Sequence, residues 1–178
     1  MIENDFIVPP RRWDEIGDIA DIFRSKLGLA DVPKVPVIEV LEQVLDNGLN
    51  LVRLEISTAA EMKGAEGYTS PDGKSIMLRG DVYESACMGD GRARFTVGHE
   101  IGHWALHTNI PLCRAKHGES LPPYRLAEPQ ANQFAAEFLM PVRFMTSQDD
   151  VDLVMKRHGV SREAAANRLH QLKKRGKL

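Results

Sequence analysis

His99-Glu100-Ile101-Gly102-His103 is the segment of this chain whose residue types and spacing can do chemistry. An α-helix turns once in 3.6 residues, so two histidines four apart lie on one face and can close on one ion. Imidazole nitrogen is a good zinc ligand, and a catalytic zinc site takes three protein ligands and keeps a fourth position open. Glu100 follows the first histidine, where its carboxylate can take a proton from water that the ion has acidified. The pattern is H-E-x-x-H, and a chance match in a chain of this length has odds on the order of one in a hundred. The bland alternative is an amphipathic helix carrying two solvated histidines.

A third ligand has to come from elsewhere. His107, Cys113, His117, Glu119, Glu128 and Glu137 are the downstream candidates. Three ligands on successive turns of one straight helix would spread over ~12 Å at 1.5 Å per residue, too far for one ion. His107 therefore reads as a helix-end residue or as support for a ligand. Glu128 is better placed, because it opens the next helix, which can fold back over the first. Glu137 lies on that helix too, deep in an apolar run, and spacing alone does not finish the choice. Among the neighbours, Asn132 can hold a ligand through its amide. Arg94 either orients a carboxylate or is solvated, and Thr96 reads as structural. Tyr124 and His107 are candidates for polarising a scissile carbonyl. Cys113 reads as an inert thiol rather than an inhibitory ligand. Phe95, Trp104, Phe134 and Phe138 read as core, and His117 and His158 as surface residues.

Two blocks carry a resemblance. Residues 94–107 read RFTVGHEIGHWALH, and residues 128–141 read EPQANQFAAEFLMP. The chain resembles the ImmA/IrrE family of metallopeptidases, whose pattern is R-x-F-T-x-x-H-E-x-G-H-x-x-x-H followed by E-x-x-A-N-x-F-A-A-x-x-L-M-P. The likeness runs over about residues 30 to 175. It implies an α+β fold with a small zincin-like core, helices plus a short sheet with an edge strand, and zinc held by His99, His103 and Glu128. It also implies a partner: a helix-turn-helix repressor cleaved by the peptidase to relieve repression. Pro129 departs from the pattern. Proline is tolerated in a helix's first turn, so it places Glu128 at or just before the start and leaves the pose of the carboxylate open.

These residues need elements to position them. Trp13, Ile16, Ala20, Phe23 and Leu27 recur at helical spacing, and Gly28 stops that helix. A second helix buries Val37, Val40, Leu41, Val44 and Leu45, with Asn47-Gly48 as its left-handed exit. Leu49 to Ile56 reads as a strand. Gly67 to Ser70, Pro71-Asp72-Gly73 and Ser75 to Arg79 read as strand, turn and strand, a hairpin that can offer its edge to an extended peptide. Asp90 is the expected N-cap of the helix over 91–107. Residues 112–123 read as a loop. A helix follows with Ala131, Phe134, Ala135, Phe138 and Leu139, closed by Pro141. Two short helices over 150–174 divide at His158-Gly159, with Ser161 capping the second.

At 178 residues and 43% hydrophobic content, the chain is long and apolar enough to bury a core of its own. No run approaches the ~18 apolar residues of a membrane span. The acidic N-terminus is unlike a secretory leader, and two cysteines make no disulfide framework, so a cytoplasmic location is expected. A net charge of −2 hides an uneven distribution. From Lys156 onward only Glu163 opposes the basic residues, which divides the chain into a metallopeptidase domain, 1–148, and a basic helical pair resembling a helix-turn-helix, 149–178. The pair is expected to turn Arg162, Arg168 and Lys173 outward to meet a partner. A protein partner is favoured over DNA, because so few basic groups on an acidic body bind DNA weakly. Two functions compete. One is a zinc metalloendopeptidase. The other is a DNA- or repressor-binding regulator, or a toxin–antitoxin component, with a vestigial or structural zinc site. An intact Glu100 favours the enzyme.

Overall fold

The computed structural model describes residues 5–114 and 121–178. In chain order these residues form β1 (Phe6–Ile7), α1 (Trp13–Lys26), α2 (Val37–Glu39, continued by a π-helical stretch Val40–Asp46), β2 (Arg53–Ser57) and α3 (Ala59–Met62). Then come β3 (Gly67–Thr69), β4 (Ser75–Arg79), α4 (Gly80–Cys87), α5 (Gly91–His107), β5 (Cys113–Arg114), α6 (Ala127–Leu139), α7 (Val151–His158) and α8 (Arg162–Lys174). The class is α+β, as expected. β2 pairs parallel with β4, and β3 pairs antiparallel with β4, in the order β2-β4-β3. β3 is therefore an edge strand. β1 and β5 form a separate two-stranded sheet.

Asp90 accepts hydrogen bonds from the Arg92 and Ala93 amides and caps α5. Gly98 and Gly102 on α5 then face Ala131 and Ala135 on α6. A Cβ on Gly102 would lie 3.0 Å from the Ala131 carbonyl oxygen, and one on Gly98 would lie 3.2 Å from Leu139. The two helices cross this closely because α5 carries no side chain at those two positions. From the other side α1 covers α6. Its Phe23 ring lies 6.2, 6.0 and 5.6 Å from those of Trp104, Phe134 and Phe138.

Some elements differ from expectation. The π-helical stretch carries the second helix through Asp46, so β2 starts only at Arg53. The left-handed residue of this exit is Asn50, at φ 49°. Gly48 is needed instead for closeness, since a Cβ there would lie 2.6 Å from the Gln43 carbonyl oxygen. β5 occupies the start of the segment read as a loop, because Cys113 and Arg114 pair with β1. α4 has no counterpart in the sequence reading.

The helical pair divides where expected. Gly159 adopts φ 63° after α7, and Ser161 caps α8. It rests directly on α5: a Cβ on Gly91 would lie 2.3 Å from the Val160 carbonyl carbon. Arg94 is not solvated. It is buried and donates to the Gly159 and Val35 carbonyls, 2.7 Å each. His158 is not a surface residue either. It is fully buried at the end of α7, its Nδ1 donates to the Pro33 carbonyl at 2.8 Å, and burial lowers its pKa.

Arg162 and Lys173 are exposed as expected, but Arg168 is not. It is 1% exposed and forks onto the Glu137 carboxylate, with Nη1 2.8 Å from Oε1 and Nη2 against Oε2. Its Nε donates to the Met140 carbonyl at 3.0 Å. Helical period explains the burial: 168 shares a face with Ala165, Leu169 and Leu172, all buried. Arg168→Ala should cost about 3–5 kcal/mol in urea unfolding, because it strands the Glu137 charge in the interior. Replacing both partners, Arg168→Met with Glu137→Met, should recover most of that loss. If Arg168→Ala alone costs less than about 1 kcal/mol, the level of an exposed pair, the pair is not a buried one.

Candidate metal centre

α5 presents His99 and His103 on one face, their Nε2 atoms 2.9 Å apart. The first turn of α6 brings Glu128 against them. Its Oε2 lies 3.2 Å from His99 Nε2, and its Oε1 lies 3.3 Å from His103 Nε2. Among the described residues, this is the one group of three His, Cys, Asp or Glu side chains with donor atoms all within 4.8 Å. Pro129 sits in the first helical turn without diverting the carboxylate.

The far side of each ring decides what its Nε2 offers. His99 Nδ1 lies 3.1 Å from Asn132 Oδ1, an acceptor, so the ring donates there and Nε2 keeps its lone pair. His103 Nδ1 lies 3.1 Å from His107 Nδ1. His107 Nε2 donates in turn to Gln130 Oε1 at 3.1 Å. Burial, then the neighbouring His103, pushes the His107 pKa down to about 4, so the ring is neutral. A neutral His107 with a hydrogen on Nε2 has a bare Nδ1, which accepts from His103. Both facing Nε2 atoms are then acceptors, and so is the carboxylate. Three acceptors this close require positive charge among them. Their separations approach the ~3.3 Å edge of a tetrahedron with 2.0–2.1 Å arms, the geometry of zinc with nitrogen and oxygen ligands. The residues present fit a divalent metal. Hydrogen bonds from the His103 and His99 rings, when these are protonated, hold the Glu128 carboxyl far below the usual carboxylate range.

Glu100 lies beside this group, 5% exposed, and burial raises its pKa. The Thr69 hydroxyl of β3 donates to its Oε2 at 2.8 Å. Gly67 makes room for it: a Cβ there would lie 2.6 Å from Glu100 Cγ and 2.7 Å from Oε1. The edge strand and the carboxylate thus hold one another. A cleft of about 440 Å³ opens over the site, lined by β3 from Gly67 to Thr69, by His99, Glu100, His103 and Glu128, and by Phe6. It shares Phe95, Thr96 and Asn132 with a second cleft of about 640 Å³ that runs on to Asn167, Gln171 and Arg175.

Other candidates fall elsewhere. Glu137 is committed to Arg168. Cys113 is exposed on β5. Tyr124 is exposed and lines a different cleft, beside Trp13 and Arg175. His107 does line the site's cleft beside His103, but both its ring nitrogens are engaged. Thr96 bonds Glu66 at 3.3 Å. Phe134 and Phe138 are fully buried, whereas Phe95 lines the clefts. His117 and Glu119 lie outside the described residues. Four supporting residues, Gly67, Thr69, Asp5 and Gln130, have no role in the sequence analysis. Gly67 carried a signal, since glycine inside a strand marks close approach. Thr69 carried none. Neither did Asp5, whose Oδ1 accepts from the Glu128 amide at 3.2 Å and so caps the ligand's helix from a distant part of the chain.

A family model described as the IrrE N-terminal-like domain, Peptidase_M78, matches residues 48–170. No curated protein and no solved structure gives a significant match. The matched span contains His99, Glu100, His103 and Glu128 and covers well over half of the sequence. On that match, and with a small zincin-like α+β fold to carry it, the chain belongs to the Peptidase_M78 family and has a metallopeptidase-type domain.

Proposed function

We propose that this chain is a zinc-dependent metalloendopeptidase, with His99, His103 and Glu128 as ligands and Glu100 as the base. The observation that carries it is the convergence of three acceptor atoms beside a buried carboxylate, at the floor of a cleft edged by an open strand. Two nitrogens and one carboxylate oxygen suit zinc. When bound, the ion would supply Lewis acidity, acidifying water and polarising the scissile carbonyl. Glu100 takes the proton onto its carboxylate and passes it to the leaving amine nitrogen. Its raised pKa favours holding that proton in transit, and Thr69 fixes the carboxylate's direction. The free edge of β3 offers backbone groups to an extended peptide. Beyond Asn132 the cleft continues along α8, which supports reading the 149–178 pair as a recognition element. The proposed substrate is a helix-turn-helix repressor in the cytoplasm, the partner that the family resemblance implies. A regulator with a vestigial site has less support, since a structural site has no use for a base held by both Thr69 and the Gly67 backbone.

Elemental analysis should find one zinc per chain, and His103→Ala should lose it. Metal content unchanged in that variant would sink the ligand assignment. Glu100→Gln should keep the metal and lose about 10²–10⁴-fold in cleavage of a repressor encoded beside this chain, because an amide cannot take the proton. Equal cleavage by variant and wild type would remove Glu100 from the role of base. Gly67→Ala tests the seat of the base. Its new methyl must displace the Glu100 carboxylate, so kcat should fall with zinc content unchanged. An unaltered kcat would show that Gly67 does not set the carboxylate's place.

A further inference from the structure

We infer that Gln130 is a positioning residue of the metal centre: through His107 it fixes His103 in the tautomer that carries hydrogen on Nδ1, leaving the Nε2 lone pair for the metal. The inference rests on the reading of His103 as a ligand. Position 130 is an unspecified place in the pattern the chain resembles, and its side chain touches neither ligand nor cleft floor.

The argument begins with the Gln130 amide, which is fully buried. Its Nε2 has two hydrogens and two carbonyl acceptors, Pro9 at 3.0 Å and Tyr124 at 2.8 Å. A flipped amide would set Oε1 against both carbonyl oxygens, three acceptors without a proton, so the orientation is fixed. Oε1 must then face His107 Nε2, 3.1 Å away, and it can only accept. The hydrogen of His107 is thereby placed on Nε2. With only Gln130 and His103 as hydrogen-bond partners, the buried His107 ring has no carboxylate bonded to it to favour a charge. Its Nδ1 is bare and accepts from His103 Nδ1, 3.1 Å away. Each link has one polarity that leaves no buried polar atom unpaired, and the polarity of the last is set by the first. His99 receives the same service in one step from Asn132. His103 receives it in three, and the chain of bonds ends on Pro9, which lies outside the residues 48–170 matched by the family model.

Long-range ¹H–¹⁵N spectra of the histidine-labelled full chain read these tautomers directly. With and without zinc, His107 should carry hydrogen on Nε2 and none on Nδ1, and His103 should carry hydrogen on Nδ1. A His107 found with hydrogen on Nδ1, or a His103 without it, overturns the inference. The metal-free spectrum decides this even should the ligand reading fail, which would show separately as a wild-type chain that binds no zinc. Zinc affinity, measured by competition with a chromophoric chelator, gives the second readout. Gln130→Leu and His107→Leu should each weaken zinc 10–100-fold. His107→Asn places an amide oxygen where Nδ1 lay, still accepts from His103, and should stay within about threefold of wild type. Equal weakening by Asn and Leu at 107 would mean that the ring only fills space. Wild-type affinity in both Leu variants would mean that nothing behind His103 matters.

Discussion

Where α5 crosses α6 there is no room for a side chain at Gly98 or Gly102. Gly102 meets the Ala131 backbone, and a methyl there would stand 3.0 Å from a carbonyl oxygen. That crossing decides whether Glu128 reaches the two histidines, since the ligands sit on opposite helices and the Glu128 side chain spans only a few ångströms. Packing on the outer side of α6 keeps the helix pressed inward. Phe134 and Phe138 are fully buried against α1 through Phe23. Further along, Arg168 grips both the Glu137 carboxylate and the Met140 carbonyl. The apolar core and the buried ion pair thus act on one variable, the distance between two helix axes, and the metal centre reads that distance out.

Electrostatics oppose the same approach. His99 Nε2, His103 Nε2 and the Glu128 carboxylate present lone pairs to one another at 2.9 to 3.3 Å. Without positive charge between them, the crossing would be repulsive. Protons relieve this at low pH, and a divalent ion relieves it at neutral pH, so metal binding and helix docking favour each other. Glu100 is kept out of this group by β3. Its carboxylate turns to Thr69 and lies against Gly67, apart from the three converging acceptors and in the place the proposed base requires.

What the sequence made legible is what depends on local spacing. His99, Glu100 and His103 fall on one helix, and the i, i+4 relation alone puts the two rings together. Glu128 is the best placed of six candidates because it opens the next helix, and the second block's resemblance completes the choice. The caps at Asp90 and Ser161 and the break at Gly159 were readable because capping chemistry is local too. Thr69, Gln130 and Asp5 act across 31, 23 and 123 residues of separation, and no local pattern encodes such contacts. An arginine in a basic run reads as exposed, whereas helical period assigns Arg168 to the buried face with Leu169 and Leu172. His158 carries no local signal of its burial. The π-helical stretch after α2 had no signal in composition at all.

The start of α6 shows how far the centre depends on such distant contacts. Leu126 stands at the N-cap and offers no side-chain acceptor to the first turn. Asp5 supplies one instead, taking the Glu128 amide on Oδ1, and burial raises the pKa of its carboxyl. The segment that carries Asp5 is itself laid along the entry to α6, with Val8 donating to the Arg125 carbonyl at 3.0 Å and Ile7 bridging Leu126. Gln130 then ties Pro9 to the back of His107. One short segment therefore braces Glu128 from the backbone side and His103 from the ring side. The two histidines come together as soon as α5 forms. The proposed third ligand sits on α6, whose first turn residues 5–9 brace, so α5 alone offers a metal two donor groups and the folded chain offers it three.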